Sequence, residues 1–236
     1  MGGNPASGVC SYCYVETPTI YLVSNTATLN LSKAAGIESV TGAGTHTIGS
    51  TVNIDATVLA GYKWSQWSGN TNYLNSAAST KSNSVTVPDA TVSLTANATG
   101  NTYYIAYNTN ASTYGKTDSQ ITGTMANSTH VYGTSKALTA NAYSLTGYTF
   151  AGWNTKANGT GTSYINAASV NNLTTTAGGT ITLYARWTPI TYTIAFNANG
   201  GIGTTSSITA TYDTSYNLTK NNFTREGYVF IGWSTS

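Results

Sequence analysis

Seven residues, Gly147-Tyr148-Thr149-Phe150-Ala151-Gly152-Trp153, return 80 positions later as Gly227-Tyr228-Val229-Phe230-Ile231-Gly232-Trp233. A looser copy, Gly61-Tyr62-Lys63-Trp64-Ser65-Gln66-Trp67, lies 86 positions earlier. A period this long limits the fold to an array of one supersecondary unit, because repeated side chains need repeated surroundings. Within the signature, Tyr and Phe are two apart and fall on one strand face, and the Trp packs after a bend that Gly152 or Gly232 permits. An aromatic cluster at this spacing reads as core, each buried ring contributing about 2–3 kcal/mol. The expected core set is Tyr62, Trp64, Trp67, Tyr148, Phe150, Trp153, Trp187, Tyr228, Phe230 and Trp233.

Period-two alternation dominates the rest. Thr180 to Trp187 reads as a strand with Ile181, Leu183 and Ala185 on one face and Thr180, Thr182 and Arg186 on the other, Tyr184 beside them. Tyr103 to Asn108 and Tyr192 to Asn197 are two copies of one opening strand. Each is followed by Asn- and Gly-rich turn chemistry, residues that tolerate positive φ. Residues 51–58, 85–87 and 91–96 alternate as well. Only 138–142 and 166–173 could form a turn or two of helix. Pro189 and Thr99-Gly100-Asn101 mark boundaries, which gives units at 26–99, 100–189 and 190–236 behind a leader, 1–25. A unit of roughly 80 residues buries a modest core.

Composition narrows the functional classes. Charged residues are 7% of the chain and the net charge is +2, so there is no basic patch for nucleic acid. A Thr-, Asn- and Tyr-rich surface of this kind goes with secreted and cell-surface β proteins. No run of apolar residues is long enough to span a membrane as a helix, and Met1 to Tyr14 lacks the features of a signal peptide. Cys10 and Cys13 have no further thiolates to complete a zinc site, and they read as a local disulfide or an inter-chain link. The seven carboxylates are scattered, and His46 and His130, with no Ser/Asp partners near in sequence, read as solvated loop or strand residues. No catalytic, metal or cofactor constellation follows, so a non-enzymatic protein is expected.

These motifs resemble the Listeria–Bacteroides repeat, or internalin-B B-repeat, of bacterial surface proteins. The resemblance is carried by Tyr192 to Gly201, Gly147 to Trp153, Thr155 to Tyr164 and Ile181 to Trp187. The first unit looks like a divergent relative through Gly49 to Val52, Gly61 to Trp67 and Val92 to Asn97. The resemblance implies mainly β, tandem, small β-grasp-like domains with a short helical crossover, arranged in an elongated extracellular array.

The third unit departs from that pattern. After Trp153 the second unit runs 34 residues to Trp187, whereas three residues follow Trp233. The leader carries a strand-like run, Thr19-Ile20-Tyr21-Leu22-Val23, patterned like 180–184. One expectation is therefore strand donation from 19–23 of one chain to the third unit of the next, a head-to-tail homopolymer. The other is that residue 236 is a processing boundary and residues 19–23 pair within the first unit. The leading function is a structural stalk or filament subunit. The runner-up is an adhesin that binds a glycan or a surface protein, with Tyr12, Tyr14, Tyr73 and Tyr114 as candidate sugar-stacking rings.

Overall fold

Alternating Thr, Val, Ile and Tyr make the described part of the chain a β protein. The computed structural model describes residues 25–235. Eighteen strands and three short 3-10 turns supply its regular structure, with no α-helix among the described residues. The chain divides into two compact units, one of residues 25–33, 39–56 and 66–96, the other of 34–38, 57–65 and 97–235. Cys10, Cys13 and the strand-like run Thr19 to Val23 lie outside the described residues.

The first seven strands are β1 (Thr26–Lys33), β2 (Ile37–Thr41), β3 (Gly44–Thr47), β4 (Thr51–Val58), β5 (Tyr62–Gly69), β6 (Asn83–Thr86) and β7 (Val92–Gly100). They form a sheet of order β3-β1-β7-β5 and a second of order β2-β4-β6. β1 and β7 run parallel, from Leu29 opposite Val92 to Lys33 opposite Ala96, and β3 is antiparallel to β1. Leu29, Ile54, Trp67, Val85, Val92 and Leu94 fill the core of the first unit, each at most 2% exposed.

The next nine are β8 (Thr102–Asn108), β9 (Ile121–Thr122), β10 (Ser128–Val131), β11 (Lys136–Ala137), β12 (Ser144–Leu145), β13 (Tyr148–Asn154), β14 (Ser163–Tyr164), β15 (Ser169–Val170) and β16 (Thr180–Pro189). Five of them build one sheet, β10-β8-β16-β13-β14. Its central pair, β8 and β16, is parallel, and antiparallel strands flank it on both sides. The same order, antiparallel neighbour then parallel pair, opens the earlier sheet β3-β1-β7. β16 buries Leu183, Ala185 and Trp187 and turns Thr180, Thr182, Tyr184 and Arg186 away from the core, as its alternation requires. The bend in the signature is a β-bulge: the register between β13 and β16 shifts between Phe150 and Gly152, where Gly152 has φ +131°. The shift brings Trp153 (0% exposed) onto Phe150 at 4.9 Å and Tyr107 at 4.9 Å between ring centroids.

Several expectations need correction. Residues 138–142 and 166–173 are not helical: Ser169–Val170 instead pairs with Lys136–Ala137, with Val170 and Leu138 buried beneath. Short apolar runs do not distinguish a helical turn from a two-residue ladder, and here the burial of Leu138 and Val170 decides. Pro189 ends β16, opposite Tyr148, and the next strand opens at Thr191. His130 is buried at 1% exposure, not solvated, because β10 pairs with β8 and turns it under the Tyr103 ring. The anticipated strand at 192–197 is shorter, β17 (Thr191–Ile194), and pairs with β18 (Ile208–Thr211).

Beyond β18 the burial changes. Ala210 is fully buried, but Tyr192 (46% exposed) and Leu218 (48%) stand open where their counterparts Tyr103 and Leu138 are covered. Tyr228 and Phe230 are likewise exposed, at 68% and 49%, where the signature leads one to expect core. In the preceding copy β16 covers Phe150 through Trp187, and nothing among the described residues plays that part for Phe230. Trp233 keeps a local cluster, with Phe196, Phe223 and Phe230 at 4.5, 6.0 and 4.9 Å and its Nε1 donating to the Thr219 carbonyl.

Candidate functional site

The signature tyrosines mark the places that recur with the same chemistry. Gly61 and Gly147 both have left-handed backbones, φ +88° and +79°. The carbonyl of Gly61 accepts the Asn101 N–H at 2.8 Å, and the carbonyl of Gly147 accepts the Ile190 N–H at 2.9 Å. In turn the Asn101 carbonyl accepts Tyr132 N–H and the Ile190 carbonyl accepts Tyr212 N–H, each at 2.9 Å. The two tyrosines so placed meet the signature ring edge to face. Tyr62 and Tyr132 are 5.3 Å apart at 82°, and Tyr148 and Tyr212 are 5.8 Å apart at 74°. Only a glycine leaves room, since a Cβ on Gly61 would lie 2.5 Å from the Tyr132 ring and one on Gly147 would collide with Tyr212. Tyr62 and Tyr148 are therefore half-buried clasp residues between successive segments, while Trp67, Trp153 and Trp187 are core and Trp64 is half-buried.

The second clasp carries added electrostatics. Lys116 pairs with Asp213, and Tyr148 Oη donates to Asp213 Oδ2 at 2.9 Å. The Lys116 ammonium also lies about 6 Å from the centroids of Tyr148 and Tyr212, near the outer limit for cation–π attraction. Lys116, and then the Tyr148 hydroxyl, hold the Asp213 carboxyl below its usual value, and Asp213 raises the lysine. The Tyr148 phenol is raised first by burial and then by Asp213. Tyr114, expected among the sugar-stacking rings, belongs to this packing instead. Its ring stands edge-on to Tyr148 at 5.9 Å and its Oη accepts the Trp187 N–H at 3.0 Å. Tyr73 is half-buried in the turn Thr71–Tyr73, and Tyr12 and Tyr14 lie outside the described residues.

Buried polar groups elsewhere are structural. Asn154, fully buried, donates through Nδ2 to Gly159 O, Gly161 O and Ser163 Oγ and accepts from the amides of Lys156 and Gly161, which shapes the 155–162 loop. Asn83 serves the 76–84 loop in the same way. Asn110, at φ +55°, ties the turn after β8 to the carbonyls of Ala157 and Ala185. His130 Nε2 shares a hydrogen bond with Ser128 Oγ, which bonds Tyr107 Oη, while His130 Nδ1 has no partner. Burial first, and Lys136 second, depress its pKa. No three His, Cys, Asp or Glu side chains among the described residues gather to hold a metal ion. Two shallow hollows, of about 370 and 390 Å³, open on the surface; the first is lined by Tyr164, Tyr184 and four threonines, the second mainly by polar residues around Asp55.

The chain belongs to the Listeria-Bacteroides repeat domain family, whose pattern matches residues 103–186 and 192–236. Residues 29–102 match the divergent InlB B-repeat domain. Over 88 residues the chain is 34% identical to a protein of Evansella cellulosilytica that carries the description of a Gly-rich membrane protein. That match covers 36% of this chain and 10% of the other. No solved structure matches the chain. No helix among the described residues is long and apolar enough to cross a membrane, which says nothing of a β-barrel.

Proposed function

We infer that the chain is a non-enzymatic extracellular module of a bacterial surface protein, a stalk or filament subunit whose repeats are coupled end to end. The observation that carries this reading is the clasp built twice from the same parts, Gly61–Tyr62 with Asn101 and Tyr132, and Gly147–Tyr148 with Ile190 and Tyr212. A clasp with a fixed hydrogen-bond register transmits load and orientation, which a surface spacer needs and a catalyst does not. The order β10-β8-β16-β13-β14 around a parallel central pair fits a β-grasp-like repeat. NMR relaxation tests the coupling: one rotational correlation time for 103–186 and 192–235 supports it, and independent tumbling of the two stretches sinks it.

Strand donation remains part of this proposal. The open Tyr192, Leu218 and Phe230 around the third repeat offer an acceptor for a strand patterned like β16, and Thr19 to Val23 carry that pattern. Size-exclusion chromatography with and without residues 1–25 reads it out; an unchanged elution profile removes the idea.

A second reading, an adhesin, is favoured by the hollow where Tyr164 and Tyr184 stand among Thr155, Thr162, Thr180 and Thr182, an aromatic and hydroxyl lining suited to a sugar ring. A glycan array that stays blank with the full chain eliminates the sugar-binding form of it.

A further inference from the structure

Ser93 and Thr182 hold the same position in two parallel pairs and have different neighbours. Leu29 stands opposite Val92 in β1–β7 as Ile105 stands opposite Ile181 in β8–β16, and the next inward residues, Leu94 and Leu183, are both buried. Tyr104 N–H donates to the Gly179 carbonyl at 2.8 Å, and in a parallel ladder that bond sends the N–H and C=O of Ile181 and Leu183 toward β8. Those of Thr182 therefore point to the opposite side, where Tyr184 meets Asn154 of β13. At Ser93 that side is taken by Asn70, whose N–H donates to the Ser93 carbonyl at 3.0 Å and whose Oδ1 accepts the Ser93 N–H at 2.8 Å. At Thr182 it is taken by the hollow of about 370 Å³, because β13 pairs with β16 along Tyr184–Pro189 and the chain then turns into the 155–162 loop.

We propose that this hollow binds an N-acetylated hexosamine, its acetamido carbonyl accepting the Thr182 N–H. The choice follows from the first unit, which fills the same place with a carboxamide oxygen on the Ser93 N–H and a donor beside it on the Ser93 carbonyl. A 2-acetamido sugar presents an amide oxygen and a vicinal hydroxyl, the same acceptor and donor. The rest of the lining suits such a ligand: Leu173 and Ile181 are apolar surface for the acetamido methyl, Tyr164 and Tyr184 are aromatic surface for the ring, and Thr155 and Thr162 offer hydroxyls. The threonine wall is preformed. Thr155 N–H donates to the Thr162 carbonyl at 3.0 Å and Thr162 N–H to Thr155 Oγ1 at 2.9 Å, beside the buried Asn154, so little is ordered on binding. The inference rests on the adhesin reading of this hollow and narrows it to one class of sugar. Every group in the site lies between Asn154 and Tyr184.

Amide NMR of the full chain, titrated with chitotriose and separately with cellotriose, tests it, since the two trisaccharides differ in the acetamido group. The expected result is a saturable shift of the Thr182 amide with chitotriose, and binding of cellotriose weaker by about fivefold or more. Two variants follow, read at the Thr155 and Thr162 amides. Thr182→Pro removes the donor, and because that N–H faces away from β8 the β8–β16 ladder is kept. Tyr184→Thr keeps the donor and places there the residue type that Thr95 supplies at the same position of the first unit. Each is expected to weaken chitotriose by about fivefold or more. Equal binding of the two trisaccharides overturns the acetamido assignment and leaves the adhesin reading standing. Chitotriose binding that is indifferent to Tyr184→Thr and to Thr182→Pro also overturns it, and no shift with either sugar removes it together with sugar binding by this hollow. Cell-wall fragments carrying N-acetylmuramic acid, titrated beside chitotriose, separate a bacterial-wall source of the sugar from a chitin one, and preference for either supports the assignment.

Discussion

Gly147 and Gly227 share a left-handed backbone, and they differ in what stands before them: the Tyr212 ring for one, and for the other nothing within 4 Å among the described residues. Replacement by alanine separates backbone strain from the loss of the clasp. Gly227→Ala is expected to cost about 1 kcal/mol, the left-handed penalty alone, and Gly147→Ala about 2–3 kcal/mol because the ring must also move. Equal losses in urea unfolding would mean that the Tyr212 contact does not hold the junction. His130 makes the second prediction at this scale. Its folded pKa is depressed while its unfolded value is near 6.5, so below about pH 6.5 the unfolded chain takes up a proton that the folded chain refuses. Stability should therefore fall as pH drops from about 6.5 toward the folded value, before the carboxylates titrate. In His130→Phe thermal melts that slope between pH 7 and 5 is expected to disappear; a slope that persists would assign it to another group.

At the scale of elements, the loops are organised by buried asparagines whose neighbours are mostly backbone. Asn154 satisfies five groups across the 155–162 loop. Asn154→Ala leaves several of them unpaired beside the core, with an expected loss of about 2–3 kcal/mol. Hydrogen exchange gives a sharper reading, because the amides of Lys156 and Gly161 should speed up while those of the β8–β16 ladder hold. Global acceleration would show that the loop and the sheet unfold as one element. The bulge in β13 is similarly specific. A side chain at Gly152 would place its Cβ 2.6 Å from the Tyr164 carbonyl, so Gly152→Val is expected to unpair β14 from β13.

For the molecule as a whole, the question is whether the repeats respond together. Lys116, Asp213 and Tyr148 join side chains of the second repeat to the turn of the third. A double-mutant cycle with Lys116→Met and Asp213→Asn should show coupling, and concentrated salt should weaken the same interaction because the pair is partly exposed. The readout is Trp233 fluorescence, which reports the third repeat. Additive effects would mean that the ion pair adds nothing to the backbone hydrogen bonds and ring contact of the clasp.

The sequence determined the repeat family, the strand alternation of β4, β7, β8 and β16, the bulge at Gly152 and the turns at Asn110 and Asn199, because these are set by local spacing and by which residues accept positive φ. It did not reveal that Tyr62 and Tyr148 serve junctions. Period two puts a tyrosine on the same face as the signature phenylalanine and cannot say whether the covering group comes from its own repeat or the next. A signal was present, in the Gly before each Tyr and in Tyr132 and Tyr212 recurring 80 positions apart. Only the tertiary structure joined the two, since the Asn101 and Ile190 hydrogen bonds that fix the clasp are made by backbone, which carries no mark in the sequence. The same holds for His130: its burial follows from the pairing of β10 with β8, a long-range contact that no local pattern encodes.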